Sequence, residues 1–314
     1  DEMLFSAKPH RDSWYSDLFR ELPEEQHLRF RTEWLDACRE MGAKKVWLCV
    51  HGSGPDGDTA DWDASASDDN ALHSGNSPMA SYIVAVSATD GRPVTWYRNE
   101  GGTVDSHALQ ETVAFMASYG LDVEGAIMDP CFCTPGVVQS LKAAHMDYVM
   151  GMPRGADGFR NMLGRHRDRI RMHTQYLVGR GGIFGISGEE QLWAAHEDRG
   201  VVNLYFSSSD ESAQAIEMIS KVWKIMDEAQ AAIQQGKEPY LPSEMEKYFV
   251  IERDQNRQAV RILHDDETLD DDLQSKGFFG ILSSKDFGAQ KVLELYHLRD
   301  WAEIPCIMLD AQEG

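Results

Sequence analysis

The stretch that decides the fold class is residues 123–152, VEGAIMDPCFCTPGVVQSLKAAHMDYVMGM. Its opening run is apolar apart from one glutamate, which predicts a buried strand that ends at Asp129. The Thr-Pro dipeptide that follows supplies a helix cap and then a proline at the first helical position. We therefore predict a helix over residues 136–145 and a second strand over residues 148–152. A strand, a helix and a strand in this order are typical of an α/β fold.

Three more strands are predicted upstream of this stretch. Residues 44–50 (KKVWLCV) form a short apolar run, and residues 80–88 and 93–98 flank an Asp-Gly turn, which predicts a β-hairpin. A helix follows and stops at Gly120. Three antiparallel strands followed by alternating helices and strands are how a ribonuclease-H-like domain begins. We therefore expect an α/β fold with a ribonuclease-H-like core, a mixed five-stranded sheet flanked by helices.

The alternation is interrupted downstream of this core. A strand near residues 201–206, a long helix over residues 211–235 and a hairpin near residue 250 indicate an inserted α+β subdomain. The core then resumes with a strand at residues 278–283 and a final helix. The chain is thus predicted to consist of an N-terminal helical segment, the first part of the core, the insertion, and the last core strand and helix. These parts are residues 1–43, 44–152, 153–275 and 276–314.

The net charge, the apolar runs and the cysteines of the chain indicate which partners and which cellular location to expect. The chain has 314 residues and a formal net charge of −22, with 52 acidic against 30 basic residues. DNA binders gain affinity mainly by displacing counterions with Lys and Arg, so this charge argues against unaided DNA binding by the whole chain, although it allows a local basic patch. No apolar run approaches the roughly 20 residues of a membrane helix, and the first residues do not resemble a signal peptide. Five cysteines without a framework of spacings favour reduced thiols in a cytoplasmic protein, which would associate with the nucleoid if it binds DNA.

Two acids stand where an enzyme that cuts DNA would place its metal ligands. Asp129 ends a buried strand, and Glu303 shares one face of the final helix with Tyr296 and Arg299, since these three lie three and four residues apart. Cleavage and joining of phosphodiester bonds use two divalent ions about 3.5–4 Å apart, and magnesium prefers carboxylate oxygens. Taken alone, Asp129 also fits a turn or helix cap, and Glu303 also fits an ordinary surface salt bridge.

Three segments together resemble the catalytic core of bacterial insertion-sequence transposases of the DDE type. The spacing Tyr-x2-Arg-x3-Glu-x6 in residues 296–310 is similar to the YREK signature of the insertion-sequence-four superfamily. Residues 125–133 (GAIMDPCFC) resemble the strand that carries the second acid in that family, and residues 46–53 (VWLCVHGS) resemble the strand that carries the first. An insertion between the second and third acids is common in the family and corresponds to residues 153–275.

The resemblance implies metal-dependent DNA cleavage and strand transfer, with magnesium or manganese as the cofactor and transposon-end DNA as the partner. The resemblance is also compatible with a homodimer. It places the second acid on Asp129 and the third on Glu303, so both are expected to bind metal. The first acid's position is His51. A neutral imidazole cannot replace a bridging carboxylate for magnesium, so we expect weak metal binding.

Other departures from the family pattern point the same way. The Arg-Gly pair after the second acid is replaced by Pro130 and Cys131, and the lysine that follows the glutamate after six intervening residues is replaced by Asp310. The last change puts an anion where a phosphate-binding cation would stand. We therefore expect a transposase-family protein whose catalysis is impaired. The alternative is a non-catalytic, transposase-derived module that binds DNA or protein.

Two other metal sites are conceivable from the sequence. Asp56 and Asp58 follow His51 closely and are candidate replacements for the missing acid, although a solvated loop is the simpler interpretation. Sulfur and imidazole ligands near the same place would favour zinc over magnesium. The candidate zinc ligands are Cys49, His51, Cys131 and Cys133.

Contact with DNA is expected at two places. Tyr296 and Arg299 are expected to approach a phosphate in the family context. A second group of arginines occurs at every second residue, so on a strand its members would share one face and form a comb for phosphates. The alternative is a solubilising edge that balances nearby acids. This group is Arg165, Arg167, Arg169 and Arg171.

Overall fold

An eight-stranded mixed sheet organises the molecule, and a two-stranded sheet lies apart from it. The large sheet contains β1 Lys45–Gly52, β2 Ala80–Ser87, β3 Pro93–Glu100, β4 Asp122–Met128, β5 Asp147–Met152, β6 Ile183–Gln191, β7 Arg199–Ser207 and β10 Phe278–Ser283. The small sheet pairs β8 Phe249–Arg253 with β9 Ala259–His264. The computed structural model describes residues 23–52, 80–100, 106–171, 173–178, 182–300 and 302.

The order across the large sheet is β3-β2-β1-β4-β5-β10-β7-β6. Strands β1, β4 and β5 run parallel to one another, while β2 is antiparallel to both β1 and β3. Strand β10 is antiparallel to β5 and to β7, and β6 is antiparallel to β7. The expected α/β class is therefore confirmed, and the sheet has three more strands than the five that the sequence predicts for the core.

Both faces of the sheet are buried around its parallel centre. Along β1, Leu48 and Val50 pack into one hydrophobic core, and Trp47 and Cys49 pack into a second core on the opposite face. This alternation follows from the two-residue repeat of a strand. Strands covered on both faces are apolar nearly throughout, which explains the continuous run at residues 44–50.

Seven α-helices lie in the described part of the chain. They are α1 Glu24–Glu40, α2 Ser106–Ser118, α3 Pro135–Ala143, α4 Asp157–Ile170, α5 Ser208–Gln234, α6 Asp266–Gln274 and α7 Ala289–Tyr296. The predicted cap of α3 is confirmed, because the Thr134 side chain accepts a hydrogen bond from the Val137 amide. None of these described helices has the length and apolar character that a membrane crossing requires. Residues 1–22 of the predicted N-terminal helical segment lie outside the described residues.

A third hydrophobic cluster lies away from the large sheet. It joins the buried side of α5, represented by Met218 and Val222, to Tyr248, Phe249 and Ile262 from the β8–β9 hairpin region. The hairpin that the sequence predicts near residue 250 is therefore confirmed.

Strand β6 is a strand that the sequence prediction misses. Its sequence, IFGISGEEQ, contains two glycines and two adjacent glutamates, so it lacks a strong apolar signal. It forms the edge of the large sheet beside β7, where one side of the strand needs no partner strand. Strands β6 and β7, both from residues 153–275, therefore extend the same sheet as the core. Strands β8 and β9, from the same segment, form the separate small sheet.

Candidate functional site

The carboxyl ends of the three parallel strands meet at one edge of the sheet. Val50 of β1 lies opposite Met128 of β4, and Met128 lies opposite Met150 of β5. One residue further along each strand come His51, Asp129 and Gly151, so these three positions are neighbours in the backbone. Parallel strands place their equivalent ends together, which makes this edge the natural place for a site. The structure describes His51 by its backbone only.

Asp129 is held by an arginine from the other end of the chain. Arg299 Nη1 donates a hydrogen bond of 2.6 Å to Asp129 Oδ1, across 170 residues of sequence. The same nitrogen lies 2.7 Å from the hydroxyl of Tyr296, and the guanidinium carbon is 5.0 Å from the centre of that tyrosine ring. The side chains of Arg299 and Asp129 are only 25% and 15% exposed. Partial burial strengthens this charge-assisted contact relative to a surface ion pair.

Gly151 makes the approach of Tyr296 possible. A β-carbon at position 151 would lie 2.6 Å from Pro130 Cγ and 2.6 Å from the Tyr296 hydroxyl, closer than non-bonded atoms can stand. Residue 151 therefore has to lack a side chain where β5, the turn after β4 and the end of α7 meet. Pro130 is part of this packing.

The described residues do not fit a two-metal site. Asp129 provides the one carboxylate described at the strand ends, and Arg299 binds it. A divalent ion at Asp129 would be repelled by the guanidinium unless Arg299 moved away. Within the described ranges, no group of three or more His, Cys, Asp and Glu side chains is placed to hold a metal. Glu303, Asp56 and Asp58, which the sequence proposes as ligands, lie outside the described residues.

The proposed zinc ligands are not assembled. Cys49 is buried in the core on one face of the sheet, whereas Cys133 belongs to the core on the other face and Cys131 packs against it. Burial raises the pKa of the Cys131 and Cys133 thiols to about 12, with a smaller contribution at Cys131 from the charge of Asp129. In the absence of a metal, burial therefore keeps these thiols protonated at neutral pH. Because Cys49 lies on the opposite face of the sheet from Cys131 and Cys133, the three cysteines do not share one zinc ion, and the four-ligand zinc hypothesis is wrong.

The predicted comb of arginines is also wrong, because residues 165–170 belong to the helix α4 and not to a strand. At 3.6 residues per turn, alternate residues point to different sides. Three of the four have acidic neighbours: Arg165 pairs with Glu190, Arg167 lies 3.6 Å from Asp168, and Arg171 Nη1 lies 2.9 Å from Glu211. Their charges are therefore largely balanced within the protein.

The placement of Tyr296 and Arg299 differs from the expectation in one respect. The sequence suggests that Arg299 approaches a phosphate, whereas in the structure it binds Asp129. The three-residue spacing of Tyr296 and Arg299 indicates that they share a helical face, and their hydrogen bond is consistent with it. No local signal links them to residue 129 or to Gly151. Comparison with models of protein families and with curated protein sequences found no match to this chain.

The contact between Asp129 and Arg299 is expected to stabilise the fold measurably. In a double-mutant cycle with Asp129→Asn and Arg299→Met, we expect a coupling energy of about 1–3 kcal/mol, the range for hydrogen bonds to charged groups. Urea denaturation of the four proteins measures it. The control is the pair Arg29 and Glu33, which is 79% and 65% exposed and should couple by less than about 0.5 kcal/mol. Equal coupling in both cycles would show that the site pair is only a surface contact.

Proposed function

We propose that this chain is a transposase-derived protein built on a ribonuclease-H-like core, and that it has lost the ability to cut DNA while keeping the scaffold that approaches DNA. Strands β1 to β5 support the scaffold part of the proposal. Their order is β3-β2-β1-β4-β5, with β4 and β5 parallel to β1. A ribonuclease-H-like core is expected to have this order and these directions.

The observation that carries the proposal is the contact between Arg299 and Asp129. The resemblance assigns Asp129 to the second acid and Arg299 to the signature around the third, and these assignments require two segments 170 residues apart to meet. They meet at the carboxyl end of β4, beside the position of His51 on β1. This meeting of the two segments is what the assignment of Asp129 and of the signature around residue 303 leads us to expect, and it supports the proposal.

The residue at position 51 supports the loss of cleavage. His51 stands where a carboxylate is needed, and Asp129, the carboxylate described at the strand ends, is engaged by Arg299. Catalysis with two metal ions depends on acids that hold both ions at a fixed separation. The net charge of −22 and Asp310, which lies outside the described residues, also disfavour capture of a polyanion.

A nicking assay tests the proposal. The substrate is a supercoiled plasmid carrying the gene of this chain with its flanking DNA, incubated with magnesium or manganese. We expect no nicking by the unmodified chain. We expect a variant with His51→Asp and Asp310→Lys to nick the plasmid in manganese, because the first acid and a phosphate contact are restored. Asp129→Ala in that variant should abolish the gain.

The outcomes separate the two halves of the proposal. Strong nicking by the unmodified chain, lost on Asp129→Ala, would show that cleavage has been retained and that another acid, such as Asp56 or Asp58, completes the site. A restored variant that binds manganese but never nicks DNA would count against descent from a transposase.

A further inference from the structure

We draw no further inference here: the strongest candidate, the exposed apolar patch that Ile216 and Ile219 form on helix α5, carries nothing, because nothing in the described part of the structure shows what covers it.

Discussion

Gly151→Ala is expected to lower the free energy of unfolding by about 2–3 kcal/mol, the usual effect of forcing an extra carbon into a packed site. The new β-carbon would lie 2.6 Å from the Pro130 ring and from the Tyr296 hydroxyl. Neither neighbour yields easily: the proline ring is rigid, and the tyrosine is fixed at the end of α7, whose Val292, Leu293 and Leu295 are buried in the core. Urea denaturation monitored by circular dichroism measures the change.

Gly164→Ala is the matched control for this prediction. Gly164 lies inside α4, and a β-carbon there meets nothing within 4 Å. Alanine is favoured over glycine in a helix, so this variant should be neutral or up to about 1 kcal/mol more stable. If Gly151→Ala were as stable as the unmodified protein, the close packing of β5, Pro130 and Tyr296 would not exist in solution.

The second large effect is on metal affinity. We expect His51→Asp combined with Arg299→Gln to tighten manganese binding by at least tenfold, because one change adds a carboxylate at the end of β1 and the other removes the cation that neutralises Asp129. Opposite charges about 4 Å apart near a protein surface interact by roughly 4 kcal/mol, so even a strongly screened gain exceeds a factor of ten. Isothermal titration calorimetry with manganese measures the affinity.

Two variants act as controls for the metal experiment. His51→Asp with Arg299→Lys keeps a cation at position 299 and should gain less affinity. Asp129→Asn added to the tighter variant should remove the gain, because an amide is a weaker ligand than a carboxylate for a hard cation. Tight binding by the unmodified chain, unchanged by Asp129→Asn, would place the metal elsewhere and contradict the assignment of this site.

Strand and helix prediction succeeded where a local pattern was strong. The strand at residues 278–283 has the predicted bounds, and the hairpin of β2 and β3 forms around its Asp-Gly turn. Prediction failed for β6, because its glycines and glutamates weaken the apolar pattern that would indicate a strand; the structure pairs it with β7. It also failed for the alternating arginines, whose two-residue spacing resembles a strand but belongs to α4. Strand β7 begins only eight residues after β6 ends, so the failure at β6 comes from its weak apolar pattern and not from a distant partner.

The sequence by itself located the positions of the candidate site. It placed Asp129 and His51 at the ends of two apolar strands, and it placed Tyr296 and Arg299 on one helical turn, because burial and helical spacing are written in nearby residues. Only the tertiary structure decided what these groups do to one another. Strands β4 and β5 and the end of α7 have to pack together before Arg299 reaches Asp129 and before Gly151 leaves room for Tyr296. The strength of an ion pair and the space for a ring depend on distances of a few ångströms across 170 residues of chain, and no spacing in the sequence encodes them.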